Sequence, residues 1–234
     1  MENPFKWRHF QPEVILLCVR RHLRYTLSYR DLEEMMTERG LSLDHTTIYR
    51  WVQEYAPELD KHSRPFLKQT NDSWRVDETY VKVRGKWMYL YRAVDSTGQT
   101  LDFLLKQIRS TRAVKRFFRN VLGQPNIMSP RVINVDKNGC YICAVSDLKK
   151  AGLLPEKCKR RPSRYMNNMV EQDHRFLKRR IKPGLGFGSY PTAWRTIQGY
   201  ETMHMIRKGR IAGVGRGNIQ AQNQFIAGLF GLDA

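Results

Sequence analysis

The sequence predicts a mixed α+β and α/β protein, in which a helical amino-terminal domain precedes a core with a mixed five-stranded sheet and flanking helices. Three observations predict this fold class. Apolar residues first recur with the period of helices, and from residue 74 they alternate as in half-buried strands. Further along the chain, helical and strand patterns follow one another in turn. With 234 residues, 41% of them hydrophobic, the chain can also bury a substantial core.

The first 56 residues divide into three predicted helices. Pro12 suits the first turn of the first helix, Ser28 can cap the second and Asp44 can cap the third. Gly40 begins a four-residue turn between the second and third helices, as a helix-turn-helix requires. We therefore interpret this region as a helix-turn-helix domain that binds DNA.

The third predicted helix has two faces when it is projected at ~100° per residue. One face is apolar, and the other carries Thr46, Tyr49, Arg50 and Gln53. Arg can read guanine, Gln can read adenine and Thr can contact the methyl group of thymine in a major groove. We therefore expect these four residues to contact DNA. The alternative is a three-helix cap that only packs on the core.

The rest of the chain reads as a linker, a core and an arm. Ala56-Pro57 predicts the end of the third helix, and residues 57–73 are interpreted as a linker. Strands are predicted at 74–83, 87–94, 100–107, 131–136 and 157–161, and helices at 111–122, 141–151 and around Glu171. Three antiparallel strands, helix, strand, helix, strand, helix is the order of a ribonuclease-H-like fold. The core is therefore assigned to residues 74–208, and residues 209–234 to a carboxy-terminal arm with a short helix.

Three carboxylates fall in elements that can bring them together. Asp77 lies in the first strand, Asp136 ends the fourth and Glu171 lies in the last helix of the core, with 34 residues between Asp136 and Glu171. In such sheets, active groups gather at strand ends beside the sheet centre. Carboxylate oxygens bind hard divalent cations, and two such ions can hold the attacking and leaving oxygens of a displacement at phosphorus. We therefore expect these residues to bind two metal ions.

Two nearby carboxylates are expected to lie outside this cage. Glu78 neighbours Asp77 but points to the opposite face of its strand. Asp173 lies ~200° around the helix from Glu171, so a structural hydrogen bond or ion pair is expected for it. Taken alone, Glu171 could belong to a solvated basic helix, but the three acids together favour a site.

The positive charge is concentrated after residue 70. Residues 1–70 carry 11 Lys and Arg against 10 Asp and Glu, whereas residues 71–234 carry 30 against 12, in a chain of formal net charge +19. Such an excess of positive charge attracts nucleic acid. The predicted DNA contacts in the core are Lys137, Arg164, Asn167, His174, Arg175, Lys178 and Arg179.

No targeting or membrane segment is evident near the amino terminus. Residues 1–4 have no signal-peptide character, and the apolar run of residues 14–19 is far shorter than the ~20 residues that a membrane span needs. We therefore expect a cytoplasmic protein with no membrane partner and no small-molecule cofactor.

Several motifs together resemble those of one enzyme family. They are Asn3-Pro4-Phe5-Lys6, Asp44-His45-Thr46-Thr47-Ile48-Tyr49-Arg50-Trp51-Val52, Asp77-Glu78-Thr79-Tyr80-Val81-Lys82-Val83, Tyr89-Leu90-Tyr91-Arg92-Ala93-Val94-Asp95-Ser96, Asn134-Val135-Asp136-Lys137 and Tyr165-Met166-Asn167-Asn168-Met169-Val170-Glu171-Gln172-Asp173-His174. With these motifs the chain resembles DDE transposases and retroviral-type integrases, and it is most similar to bacterial transposases of the insertion sequence six group. In that resemblance Lys178 matches a basic residue that is part of the catalytic set.

The resemblance implies a complete reaction. The enzyme would bind the terminal inverted repeats of an insertion sequence, cleave the 3′ ends and join them to target DNA, with replication producing a cointegrate. It would use two Mg²⁺ ions per active site, for which Mn²⁺ can substitute, and it would act on the bacterial nucleoid. Because two ends are joined, a homodimer at least is expected. The alternatives are a helix-turn-helix regulator without catalysis and a ribonuclease-H-like nuclease.

Overall fold

The computed structural model describes residues 4–136, 138–162 and 168–232. The helices are α1 Pro12–Arg24, α2 Tyr29–Thr37, α3 His45–Ser63, α4 Thr111–Leu122, α5 Gly139–Lys150, α6 Asn168–Ile181, α7 Tyr190–Arg207 and α8 Ile219–Leu229. The strands are β1 Ser73–Val83, β2 Lys86–Asp95, β3 Thr100–Lys106, β4 Val132–Val135 and β5 Lys159–Pro162. The chain forms two compact units, Met1–Leu67 with Phe187–Ala234, and Lys68–Gly186. Within the described residues, no helix is long and apolar enough to span a membrane.

The unit Lys68–Gly186 is built on one five-stranded mixed sheet with the strand order β3-β2-β1-β4-β5. β1, β2 and β3 pair antiparallel, while β4 runs parallel to β1 and β5 runs parallel to β4. This is the predicted ribonuclease-H-like order, and it confirms the fold class of the core.

Apolar side chains hold the helices against this sheet. Phe117 and Phe118 of α4 are fully buried. Phe117 stacks on Tyr91 of β2, and Phe118 meets Tyr141 of α5 edge-on. Ser110 caps α4 by accepting a hydrogen bond from the backbone N–H of Ala113 at 3.2 Å. Aromatic side chains of this size bury large apolar areas, so the packing fixes the helices on which the site depends.

The other unit contains the three predicted amino-terminal helices. Ser28 caps α2 with a capping box, and Asp44 accepts the N–H of Thr46 at 2.7 Å at the start of α3. Gly40 has a φ of +75°, the left-handed conformation that glycine adopts readily. The predicted caps are therefore confirmed, and the turn is longer than the four residues predicted, because α2 ends at Thr37 and α3 begins at His45.

The predicted end of the third helix at Pro57 is wrong. α3 continues to Ser63, with Pro57 inside it. Proline removes one backbone donor from a helix, but the following turn is held by tertiary contacts. Leu59 and Asp60 are buried, and Asp60 accepts a hydrogen bond from Thr202 of α7 at 2.9 Å. The predicted linker of residues 57–73 is therefore partly helix.

The core predicted at 74–208 includes α7, whose contacts place it in the same compact unit as the amino-terminal helices. A Cβ atom on Gly199 of α7 would lie 2.6 Å from the Cβ of Ala56 and 2.7 Å from Leu23, so only glycine permits this close approach. Helix α8 confirms the short helix predicted after residue 208, and Phe230 packs there against Phe5.

Candidate active site

The register of β1 and β4 brings two of the predicted acids together. Arg75 of β1 pairs with Asn134 of β4 in a parallel arrangement. Asp77 and Asp136 each lie two residues further along, so they occupy corresponding positions on neighbouring strands. The Asp136 side chain is 37% exposed, and its Oδ1 accepts the N–H of Asn138 at 3.0 Å.

Asp77 shows the electrostatic cost of this arrangement. Burial, together with the nearby charges of Glu78, Asp136 and Glu171, raises the pKa of Asp77 to about 7. Carboxylates that repel one another in a partly buried site form a strong binding site for a cation. The chemistry of this donor set therefore fits hard divalent metal ions.

Glu171 and Asp173 take different roles on α6. Glu171 is exposed in the first turn. Asp173 accepts a hydrogen bond at 2.6 Å from Nη2 of Arg92, whose side chain is fully buried in β2. The structural ion pair predicted for Asp173 is therefore confirmed.

Glu78 lies on the other face of β1 from Asp77, as predicted, but it remains connected to the site. Its carboxylate contacts Nε of Arg109 and accepts a hydrogen bond from the hydroxyl of Tyr141. Nη2 of Arg109 donates to Oδ2 of Asp136 at 2.9 Å. Two hydrogen bonds and one ion pair thus connect Tyr141, Glu78, Arg109 and Asp136 in series.

The sequence reasoning missed Arg109 and Tyr141. Arg109 lies between β3 and α4, where no motif distinguishes it from other basic residues. A useful signal would have been its position after a strand that ends near the acids. Burial raises the pKa of Tyr141 well above its ordinary value, and the charge of Glu78 raises it further, so Tyr141 stays a hydrogen-bond donor.

The three acids do not form a compact shell around a single point. Among the described residues, one group of three His, Cys, Asp or Glu side chains has its ligand atoms all within 4.8 Å of one another, and it consists of Glu33, Asp44 and His45. The predicted triad of Asp77, Asp136 and Glu171 does not meet this spacing.

Comparison with known proteins shows which family the chain resembles. Residues 71–210 match the family described as a DDE domain of the IS240 type. The chain is 39% identical over 211 residues to the transposase of the insertion sequence-like element IS431mec from Staphylococcus aureus, covering 88% of this chain and 89% of the relative. It is 38% identical, with the same coverage, to the S. aureus transposase of IS257 in transposon Tn4003.

The chain belongs to the DDE transposases of the insertion sequence six group. It is therefore a DDE enzyme of the polynucleotidyl transferase and endonuclease class, and it acts on DNA. Among solved structures, the BIV integrase catalytic core has a TM-score of 0.43 and 14% identity, covering 66% of this chain and 95% of that chain. The HTLV-2 integrase catalytic core with magnesium, in its dimeric form, has a TM-score of 0.39 and 16% identity, covering 50% and 74%.

One predicted DNA contact of the transposase core is wrong. His174 is 3% exposed, and its Nδ1 lies 3.9 Å from Oδ2 of Asp77. Burial, together with the positive charges of Arg92 and Lys178, lowers the pKa of His174 to about 3. A buried, neutral imidazole cannot pair with a DNA phosphate, so His174 packs beneath the site instead.

The other predicted contacts of the core divide into two groups. Arg175, Lys178 and Arg179 are exposed on α6, where they can reach a phosphate. Lys137, Arg164 and Asn167 lie outside the described residues. The cations of α6 therefore remain predicted DNA contacts.

One of the four residues predicted to form the DNA-contacting face of α3 is buried in the structure. Thr46, Tyr49 and Arg50 are exposed, whereas Gln53 is 8% exposed and its Nε2 donates to Oγ1 of Thr196 at 2.8 Å. The DNA contact predicted for Gln53 is therefore wrong, because α7 packs over that part of α3.

Helix α7 also adds a cation that the sequence reasoning missed. Arg195 is exposed and lines the same cavity of about 530 Å³ as Tyr49 and Arg50. The candidate recognition surface of the transposase is therefore formed by two helices, α3 and α7.

Proposed function

We propose that this transposase binds the terminal inverted repeats of an insertion sequence, cleaves their 3′ ends and joins them to target DNA, by a replicative route that yields a cointegrate. The observation that carries the proposal is the placement of Asp77 and Asp136 at corresponding positions on parallel strands, with Glu171 close enough to perturb Asp77. The 39% identity to an insertion-sequence transposase over 88% of the chain supports it.

Asp77, Asp136 and Glu171 would hold two Mg²⁺ ions, and Mn²⁺ can replace them. When bound, two such ions activate the attacking oxygen and stabilise the leaving oxygen of an in-line displacement. Oδ1 of Asp136 is oriented by the N–H of Asn138 and Oδ2 by Arg109, at 3.0 and 2.9 Å. Because each oxygen has a second lone pair, both can still accept a ligand.

Arg109 acts as a positioning residue in this proposal. It joins Asp136 at the end of β4 to Glu78 in β1, directly after Asp77. The Glu78 side chain is only 5% exposed, and Tyr141 fixes its second oxygen. Hydrogen bonds of this kind orient the carboxylates that hold a metal, so Arg109 would set the separation of Asp77 and Asp136.

The same acidic site would serve two successive displacements. In the first, the oxygen of water bonds to phosphorus at the end of the element, and the bond to the 3′ oxygen breaks. In the second, that 3′ oxygen attacks a phosphorus of the target strand, and the 3′ oxygen of the target leaves. Lys178 is exposed two helical turns after Glu171, where it would hold a neighbouring phosphate.

Sequence recognition is proposed for the other unit. Thr46, Tyr49 and Arg50 form the exposed face of α3, and Arg195 of α7 extends it. These side chains can contact base edges and phosphates in a major groove. Joining two element ends requires two active sites, so we propose a homodimer at least, which acts on the nucleoid in the bacterial cytoplasm.

The test uses a donor plasmid in which a marker lies between the DNA segments that flank this gene. Purified transposase and Mg²⁺ should nick the donor at the 3′ ends of the repeats and, with a target plasmid and a replication extract, should yield cointegrates. A donor with scrambled flanks is the control. Nicking of both donors at random sites would favour a ribonuclease-H-like nuclease. Specific binding without nicking would favour a regulator.

A further inference from the structure

A groove runs beside α6 in the unit Lys68–Gly186, next to the β1–β2 hairpin. It has a volume of about 520 Å³, and its walls include Tyr80 and Trp87 of the hairpin, Leu177 and Ile181 of α6, and Leu185 after α6. We call this groove the aromatic groove; its lining also includes Lys82, Lys178 and Lys182. None of the side chains assigned above to metal binding lines it.

The groove exposes large apolar side chains that a solvated surface would normally hide. Leu185 is 84% exposed, Trp87 is 62% exposed and Tyr80 is 54% exposed. The Tyr80 and Trp87 ring centroids lie 6.4 Å apart. Contiguous exposed apolar side chains of this kind mark a surface that binds a partner.

One wall of the groove is rigidly built. Leu185 has a φ of +55°, which is uncommon for a residue with a side chain. Gly186 follows with a φ of +112°, and a Cβ atom there would lie 2.4 Å from the carbonyl oxygen of Lys82. The segment after α6 therefore lies directly on β1, which holds Leu185 at the rim of the groove.

The charge of the groove selects its partner. Lys82, Lys178 and Lys182 contribute to the lining, and among the described residues no acidic side chain does. Exposed aromatic faces combined with cations bind unpaired nucleic acid strands, because the bases stack on the rings while the cations hold the phosphates. An apolar protein segment would offer no negatively charged group to pair with the three lysines.

The groove also lies at a suitable distance from the acids. Lys178 follows Glu171 by seven residues on one helix, which is a rise of ~10 Å. Stacked nucleotides are spaced ~3.4 Å apart along a strand. A strand whose phosphate lies at Glu171 would therefore reach the groove about three nucleotides away.

From this arrangement we propose that the aromatic groove binds an unpaired base of the DNA strand that passes the acidic site, about three nucleotides from the phosphate that is cut. Trp87 and Tyr80 stack on the base, and Lys178 and Lys182 hold its phosphates. This inference rests on the proposed function, because it takes the end DNA of the element as the ligand. Its consequence is that the enzyme stabilises a locally opened DNA end.

The test measures binding of the full chain to duplex ends in EDTA, which prevents cleavage. One set of ends is fully paired, and others carry a single mismatch at each of the five positions on either side of the cut. The wild type should bind one mismatched end more tightly than the paired end. Trp87→Ala should weaken binding to that end roughly 5- to 150-fold, the range for one stacked base, and should leave binding to the paired end nearly unchanged.

Two further variants control the result. Trp7→Ala removes another exposed tryptophan, from the other unit, and should change neither affinity. Trp87→Phe keeps an aromatic ring and should restore most of the preference. Equal loss on both DNAs, or no loss on either, overturns the proposal. A Trp87→Ala protein that loses self-association in sedimentation would show that the groove binds a second copy instead, which also overturns it.

Cleavage by the wild type with Mg²⁺ is measured in parallel. If the wild type cleaves ends but shows no preference for a mismatch, the groove proposal fails and the proposed function stands. If the Trp87-dependent preference is present and no cleavage occurs, the groove proposal stands and the proposed function fails.

Discussion

The acidic site and the candidate recognition surface rest on different elements: the first on a pair of strands, the second on a pair of helices. In both regions the sequence predicted polar side chains on one side of an element. Asp77 and Asp136 lie together as the strand pattern predicted, whereas Gln53 is covered by Thr196 on α7. The pairing of β1 with β4 sets where Asp77 and Asp136 lie. The face of a helix is open only if no other helix packs on it.

Helix α6 shows the same contrast within one element. Glu171 is exposed at the acidic site, while Asp173 is paired with the buried Arg92 and His174 is buried beneath Asp77. Helical projection separated Glu171 from Asp173 correctly. Helical projection could not show that the sheet would bury the His174 side chain.

The largest effect is expected at the triad. Asp77→Asn, Asp136→Asn and Glu171→Gln should each abolish strand cleavage, because each removes a charge that holds the metal ions. Binding to end DNA, measured by gel shift, should persist. Asp72→Asn is the control, because Asp72 forms an ion pair with Arg131 at 3.1 Å instead of belonging to the triad. The Asp72→Asn enzyme should cleave normally. Near-normal cleavage by any triad variant would show that the triad is misassigned.

Asp173→Asn should change stability instead of chemistry. It removes the charge that balances Arg92, and breaking a buried ion pair costs ~3–5 kcal/mol. Denaturant unfolding should show this loss. Glu171→Gln on the same helix should alter the free energy of unfolding by no more than ~0.5 kcal/mol, as is usual for an exposed residue. Equal destabilisation by the two variants would refute the division of roles on α6.

Arg109 and Glu78 should affect metal binding. Replacing both, Arg109→Met with Glu78→Gln, preserves the net charge and removes the contact that orients Asp136. Mn²⁺ affinity of the full chain without DNA, measured by calorimetry, should fall ~10- to 100-fold, and cleavage should recover at high Mg²⁺.

The matched control is Lys115→Met with Asp147→Asn, which removes a more exposed ion pair of 2.9 Å on α4 and α5 without changing the net charge. Its Mn²⁺ affinity should equal that of the wild type. The Arg109 and Glu78 double variant could instead show a lower melting temperature and an unchanged Mn²⁺ affinity. That result would mean that the contacts among Tyr141, Glu78, Arg109 and Asp136 have only a structural role.

The smallest effects separate two residues of α3. Arg50→Ala should reduce the preference for end DNA over random DNA by ~1–3 kcal/mol, as expected for a base contact. Gln53→Ala should leave that preference unchanged and lower the free energy of unfolding by ~1–3 kcal/mol, because it removes the donor to the buried Thr196. Competition binding and thermal unfolding measure the two quantities. A loss of preference for end DNA in the Gln53→Ala variant would show that Gln53 does contact DNA.

The sequence by itself determined the elements and the chemistry. Alternation fixed β1 and β2, caps fixed the starts of α2 and α3, and acids in strands and a later helix marked the metal site. These signals are local, because a cap or a pleat acts over a few residues. For the same reason the sequence predicted that Asp77 and Glu78, as neighbours in one strand, point to opposite faces of the sheet.

Only the tertiary structure decided which surfaces remain open and which residues support the acids. Gln53 is covered by a residue 143 positions away, and Arg109 reaches Asp136 across 27 positions. Helix α7 joins the amino-terminal helices because Gly199 lets it approach Ala56. Such contacts depend on how distant elements pack together, and hydrophobic packing is not directional, so no local pattern in the sequence specifies them.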